Sequence, residues 1–230
     1  MAGHGSPELP EGATSAISLA FDGGLVEHVE LVAPLLAESG IRGTFFVTVP
    51  ALLDHPTKWR VIAESGHELA NHSHHALTHT GELPNWTRQA VREDLLESNR
   101  GIASITGYLP TSFAMSGFST LCADGDYARD LVTIFTAIRT AEIGSNDVSA
   151  TNPRDARALP WERATGEAVQ LLPRSGEWTV PVFTQFFHPQ FDAAEEDLRL
   201  LVDALRGRED IWVAPFGEVA AQLNPDLNSR

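Results

Sequence analysis

Short apolar runs alternate with amphipathic stretches along most of the chain. Residues 16–21, 43–49, 68–71, 112–115, 180–187 and 211–214 are brief, rich in β-branched and aromatic side chains, and bounded by Gly, Pro or polar residues, which predicts strands. Between them, helical spacing predicts helices over 31–38, 57–65, 87–104, 127–139 and 192–205. The last is the clearest: Leu198, Leu201, Val202 and Leu205 form one apolar stripe opposite Glu195, Glu196, Arg199 and Arg206. Pro34 falls where a first helical turn tolerates it. Strands alternating with helices imply an α/β fold with a parallel sheet and crossover helices.

The chain has 230 residues, a length that suits one large α/β domain, and neither a repeat nor a linker interrupts it. The domain is expected over 16–223, with a Gly- and Pro-rich segment at 1–15 and a tail at 224–230. The polar stretch 144–160, with Pro153 and Pro160, is expected to be an irregular insertion beside the site.

A formal charge of −15 argues against nucleic acid and anionic membranes as partners, because a polyanion is repelled at long range. A neutral or cationic small molecule is easier to admit. The first fifteen residues lack the cationic and apolar regions of a signal peptide, and no run approaches the roughly 18 apolar residues of a membrane helix, so a cytoplasmic location is expected. Cys122 is the single cysteine, with no internal partner, and is expected to be a small buried residue.

The candidate chemistry is concentrated. Five of the nine histidines, His67, His72, His74, His75 and His79, fall within thirteen residues, and Asp22 ends an apolar run some fifty residues earlier. Imidazole is the commonest nitrogen ligand for divalent metals, and a strand-end carboxylate is its usual oxygen partner or proton acceptor. This pattern points to a metal-dependent hydrolase. His67 is expected to pack at a strand entrance, His74 to face away from His72, and His28 and His55 to lie on helix or loop surfaces.

Five strings in order carry a family resemblance: Phe21-Asp22-Gly23-Gly24, Gly43-Thr44-Phe45-Phe46-Val47, Gly66-His67-Glu68-Leu69-Ala70-Asn71-His72-Ser73, Thr111-Ser112-Phe113-Ala114, and Phe187-His188 with the segment from Ile211 to Val219. Together they resemble the polysaccharide deacetylases, the chitooligosaccharide-deacetylase-type carbohydrate esterases. The resemblance implies a distorted (β/α) barrel of about seven parallel strands with its site at their carboxyl ends. It further implies Asp22 as general base, His188 as general acid and His72 as metal ligand, with a divalent ion, zinc first, as cofactor. An acylated, sugar-like small molecule is the implied substrate.

The chain departs from the family pattern at two ligand positions. Where the family has a second Asp there is Gly23, which has no side chain to ligate, and where it has a second motif His there is Ala76. His75 and His79, four apart, are the nominated replacements, while Phe113, Met115, Trp161 and Phe187 are candidates for substrate contact. The third motif, Phe113-Ala114-Met115-Ser116, resembles a Phe-Ala-Tyr-Pro variant with its last two residues exchanged. Three readings follow: a metal-dependent deacylase, a deacetylase-like binding protein without chemistry, and a metal-free tailoring enzyme using Asp22 and His188.

Overall fold

The computed structural model describes residues 9–74, 82–161, 168–183 and 191–224. Seven parallel strands close a barrel in the order Ala156–Pro160, Pro181–Phe183, Ala20–Gly23, Thr44–Val47, Glu68–Asn71, Ser112–Ala114 and Ala137–Ile143, the last pairing back to the first. The sequence expectation of an α/β barrel of about seven parallel strands is met. Beside it lies a four-stranded sheet, Ile211–Val213, Ser15–Ile17, Glu177–Thr179 and Asn146–Asp147, in which only the last strand runs antiparallel.

The alternation of strand residues divides the core. Phe21, Phe45, Leu69 and Phe183 point outward into a cluster with Val32, Leu36, Trp59, Ile62 and Ile102 from the surrounding helices. Ala20, Phe46, Ala70, Ala114, Ala137 and Val182 belong to a second cluster that fills the barrel. Both faces of these strands are therefore apolar, which is why Thr44–Val47 reads as an unbroken buried run. Alanine at so many interior positions leaves space for the Phe46 ring.

The helix Phe216–Leu223 meets the amino-terminal end of the barrel through its first backbone groups. The Phe216 N–H donates to Thr44 Oγ1 at 2.7 Å, the Gly217 N–H to Glu68 Oε2 at 2.9 Å, and the Thr44 hydroxyl also donates to Glu68 Oε2 at 2.9 Å. A carboxylate at a helix amino terminus meets donors that have no partner within the helix. A side chain at Gly217 would collide with Glu68 and Ser112, so this junction requires glycine. Burial pushes the Glu68 carboxyl above its usual range despite those donors.

Three expectations are corrected. Residues 16–21 form two strands, Ser15–Ile17 in the flanking sheet and Ala20–Gly23 in the barrel, with the chain crossing between sheets at Ser18 and Leu19. Residues 127–139 are not one helix: Ala128–Ile134 is helical, and Ala137 begins a barrel strand. The spacing of Phe135 and Ile138 mimics a helical stripe, but Phe135 caps the helix with an extended backbone and stacks on Phe113. The stretch 144–160 is no plain insertion, since Ala156–Pro160 is a barrel strand. Among the described residues, no helix is long and apolar enough to cross a membrane.

Two histidines are held neutral inside this core. His28 is fully buried between the Phe21 and Phe45 rings, and its Nδ1 accepts the Leu25 N–H at 3.2 Å. Burial lowers its pKa to about 3, against a smaller opposing pull from Asp22. His28 therefore does not lie on the surface as expected; the π-helical turn His28–Val32 directs Glu30 outward and His28 inward. His67 packs at the strand entrance as expected, its Nδ1 accepting the Gly43 N–H at 3.0 Å, and burial with the nearby Arg42 cation lowers its pKa to about 4. Both groups take up protons in the unfolded chain near pH 6.5 but not in the folded one. The folded state is thus fully favoured above pH 6.5 and loses stability as pH falls toward their folded values. Each contributes a slope of up to about 1.4 kcal/mol per pH unit in that window. Chemical denaturation at pH 7, 6 and 5 should show this loss, and His28→Gln should remove about half of the slope.

Candidate functional site

The carboxyl ends of the barrel strands carry Asp22, His72 and Ser116. Asp22 lies two residues beyond Ala20 on the same strand and so faces the interior, level with Phe46 on the next strand. Arg139 follows Ala137 in the same way on Ala137–Ile143. Its Nη2 donates to Asp22 Oδ2 at 2.6 Å, and its guanidinium sits 4.9 Å above the Phe46 ring centroid. The two side chains are only 12% and 5% exposed, which makes this a buried ion pair rather than a surface one. Asp22 Oδ1 and Arg139 Nε are also buried, and neither has a hydrogen-bond partner among the described residues.

Glycine follows Asp22 twice. Gly23 and Gly24 have φ of +95° and +76°, the left-handed region that disfavours side chains, and a Cβ at Gly24 would press on Ala51. The position where the family pattern places a second Asp is thus held in a glycine conformation.

His72 lies just past the strand Glu68–Asn71 and is 6% exposed. Its Nδ1 lies 3.0 Å from the Ala114 carbonyl oxygen, which can only accept, so Nδ1 carries the proton and Nε2 presents a lone pair in the neutral ring. Ser116 Oγ lies 3.2 Å from Nε2 and donates its hydroxyl proton to it. The turn that aims this imidazole is heavily braced. Asn71 donates through Nδ2 to the Leu95 carbonyl at 3.0 Å and to Asn99 Oδ1 at 2.6 Å, and its Oδ1 accepts the Ser73 N–H at 2.6 Å. Asp94 Oδ2 accepts the His74 N–H at 2.9 Å. Ser73 has φ of +64°, a left-handed conformation rare for a residue with a side chain, and the Asn71 bond holds it there.

The remaining candidates divide. His75, His79, Phe187 and His188 lie outside the described residues. Phe113 is 1% exposed and stacks on Phe135 in the cluster between the barrel and its helices, so its ring belongs to the core rather than to the mouth. Met115 is half-buried against the same cluster, and its N–H donates to the Arg139 carbonyl at 2.9 Å. Trp161 is tied down: its indole N–H donates to Asp197 Oδ2 at 2.9 Å, and its ring packs on the main outer cluster. Cys122 is half-buried rather than buried, its thiol donating to the Gly125 carbonyl at 3.1 Å. Arg139 is the residue that the sequence reading missed. Its signal was the alternation Ala137-Ile138-Arg139, hidden inside an expected helix.

As for a metal, the described residues fit in part. The Ala114 carbonyl fixes the His72 tautomer so that Nε2 is the nitrogen that would ligate, the arrangement that backs most metal-bound histidines. Gly23 offers nothing, and no group of three His, Cys, Asp or Glu gathers at one point among the described residues.

Comparison with known proteins agrees with this fold. The family model for polysaccharide deacetylase matches residues 10–122. The peptidoglycan-N-acetylglucosamine deacetylase PgdA of Listeria monocytogenes is 29% identical over 111 residues, 46% of this chain but only 22% of that protein. The match therefore spans about a fifth of that relative's length. Among solved structures, a candidate polysaccharide deacetylase of Mycobacterium smegmatis superposes with a TM-score of 0.70 at 18% identity, covering 96% of this chain and 94% of that one. A family 4 acetyl xylan esterase of Clostridium thermocellum, solved with a cobalt ion, gives a TM-score of 0.60 at 20% identity, with 89% of each chain covered. At such identities the structures establish a shared fold.

Two outcomes are expected of this site. Because the Ser116 hydroxyl occupies the lone pair that a metal needs, Ser116→Ala should raise the affinity for zinc or cobalt by about 3- to 10-fold, the worth of one hydrogen bond; isothermal titration calorimetry measures it. Gly23→Asp places a side chain on a left-handed backbone and should cost about 1–2 kcal/mol, a fall of several degrees in Tm, without a gain in metal binding.

Proposed function

The chain belongs to the polysaccharide deacetylase family, and from that premise we propose that it hydrolyses an amide or ester bond of a small or sugar-like acylated substrate, with Asp22 as the base. The observation that carries this reading is the buried carboxylate of Asp22 at the carboxyl end of its strand, clamped through one oxygen by Arg139, with the other oxygen unengaged among the described residues. A carboxylate held in this way is ready to take a proton without reorganising. His188, the counterpart of the family's acid, protonates the departing amine or alcohol. The negative charge of the chain favours a neutral or cationic substrate over a polyanion, and an N-acetylated amino sugar, as in the name of the Listeria relative, is the class to try first.

A divalent ion, zinc first, held by His72 with His75 and His79, would polarise the acyl carbonyl. His72 supports this with its correctly fixed tautomer. Asp22 supplies the proton acceptor, Arg139 fixes its direction, and Phe46 holds the guanidinium from below. A second reading, metal-free acid/base chemistry by Asp22 and His188, is favoured by Gly23, whose position supplies no ligand and whose backbone conformation is set against one.

Protein purified without chelator or affinity-metal column should carry close to one zinc or similar ion per chain by elemental analysis, and His72→Ala should abolish it. Wild-type protein free of metal yet active would instead establish the second reading. On N-acetylglucosamine oligomers and 4-nitrophenyl acetate, Asp22→Asn should lower turnover by about 10² or more with the fold intact. Unchanged turnover would remove Asp22 from the reaction.

A further inference from the structure

An apolar hollow of about 320 Å³ lies on the outside of the barrel, between the helical segments His28–Val32 and Ala33–Glu38 on one side and the helix Pro56–Glu64 on the other. That is within the size range, roughly 300–1,000 Å³, of cavities that take small molecules. The buried residues that line it, Val29, Ala33, Ile62 and His67, form its floor. Three of them are apolar, and His67 is the exception. Of the polar side chains at the exposed rim, Lys58 pairs with Glu30 at 3.0 Å and the Ser65 hydroxyl donates to the Val61 carbonyl at 2.8 Å.

His67 brings one donor to that floor. It precedes the strand Glu68–Asn71 and alternates with Leu69, which packs in the outer cluster, so its ring stands on the helix side and meets the Phe45 ring edge-on at 5.5 Å. Nδ1 accepts the Gly43 N–H at 3.0 Å, so in the neutral ring Nε2 carries the proton and directs it away from Gly43. Although the residue is only 4% exposed, Nε2 has no hydrogen-bond partner among the described residues, and it is not one of the atoms closed off from solvent. A donor left so in apolar surroundings forfeits a hydrogen bond. Water meets this need badly, since it seeks about two to four polar partners and the side chains of the floor supply one. The ring also borders a cleft beside Arg42 and Glu218, whose charges already pair at 2.8 Å.

We propose that the hollow binds a small neutral molecule, apolar over most of its surface, whose single acceptor oxygen, from a ketone, ester or amide, takes the His67 Nε2–H. The walls match each of these properties. The imidazole is uncharged at neutral pH, because burial, with Arg42 nearby, holds its pKa down to about 4. The Lys58 charge is balanced by Glu30, and a chain of formal charge −15 repels anions. A ligand there lies at the entrance of the strand Glu68–Asn71, whereas His72 stands beyond its other end. The site is therefore separate from the one described above and does not depend on the deacylase reading.

Acetophenone and α-methylstyrene test this, because they share a shape and differ in whether the apolar skeleton ends in a carbonyl oxygen or a methylene. Titrated into the full chain and followed by methyl and imidazole NMR, acetophenone should shift the Val29, Ile62 and His67 signals with a Kd of about 1 mM or tighter, the range open to so small a ligand. α-Methylstyrene should bind about 3- to 10-fold more weakly, the worth of one hydrogen bond. Ala37→Trp, at the exposed rim, should fill the hollow and abolish both sets of shifts; Val61→Trp serves the same end if that variant folds poorly. Equal binding of the two probes removes His67 as the donor and overturns the inference. It is overturned equally by an absence of shifts at millimolar acetophenone, and by shifts that persist in a folded rim variant or centre on Arg42 and Tyr108 in the neighbouring cleft.

Discussion

A carboxylate and a guanidinium taken out of water inside a barrel lose several kcal/mol of hydration apiece, and only close contact and good geometry offset that. Asp22 and Arg139 meet these terms because the barrel is built around them. Their strands are separated by two or three others in the closed order, so the pair is made across the interior and not between neighbours. Such reach needs an interior of small side chains, and Ala20, Ala70, Ala114 and Ala137 supply it. The Phe46 ring beside them lies under the guanidinium and adds a cation–π contact in place of lost water. Filling the barrel with Val and Leu would favour packing and exclude the pair.

The other half of the site depends on a different kind of support. His72 stands beyond the end of its strand, where ladder hydrogen bonds no longer fix the chain. Side chains of the helix Arg88–Thr106 take over: Asn99 and Asp94 hold the turn, and Asn71 bonds in both directions, to the helix and to Ser73. Holding Ser73 in a left-handed conformation has a cost, and backbone strain of this kind is stored where a side chain must be aimed. The same turn is thus both strained and braced by side-chain hydrogen bonds, which suits an imidazole whose tautomer must be constant.

Much of the fold was legible because each barrel strand has two apolar faces and each helix one. Thr44–Val47 and the helix Phe191–Leu205 declared themselves by composition and period. What was hidden was hidden for physical reasons. Strand Ala137–Ile143 carries Arg139 and Thr140 at positions where a buried strand should be apolar, because the barrel needs a cation there, and so the stretch passed for a helix end. The break at Ser18 and Leu19 joins two sheets without Gly or Pro, leaving no punctuation to see. His28 looked like a surface residue because its neighbours Glu27 and Glu30 are acidic, whereas the π-helical turn sends it into an aromatic pocket behind Asp22. Asp22 and His72 were legible by motif, and their partners Arg139 and Ser116 were not, since pairing across the barrel leaves no trace in local sequence.

The departures from the family pattern fall unevenly on the two halves. Gly23 departs at a position where the family pattern has a ligand, and Ser116, in the exchanged third motif, sets a hydroxyl against Nε2 of His72. Nothing comparable touches the base: Asp22 retains a buried cation, and the alanines and Phe46 that make room for that cation are in place. A buried ion pair with polar atoms that lack partners among the described residues is costly to keep out of water, and close contact has to offset that cost. Under the proposed hydrolase reading, the described residues are therefore arranged for proton transfer at Asp22, whereas the surroundings of His72 are where the chain departs from the family pattern.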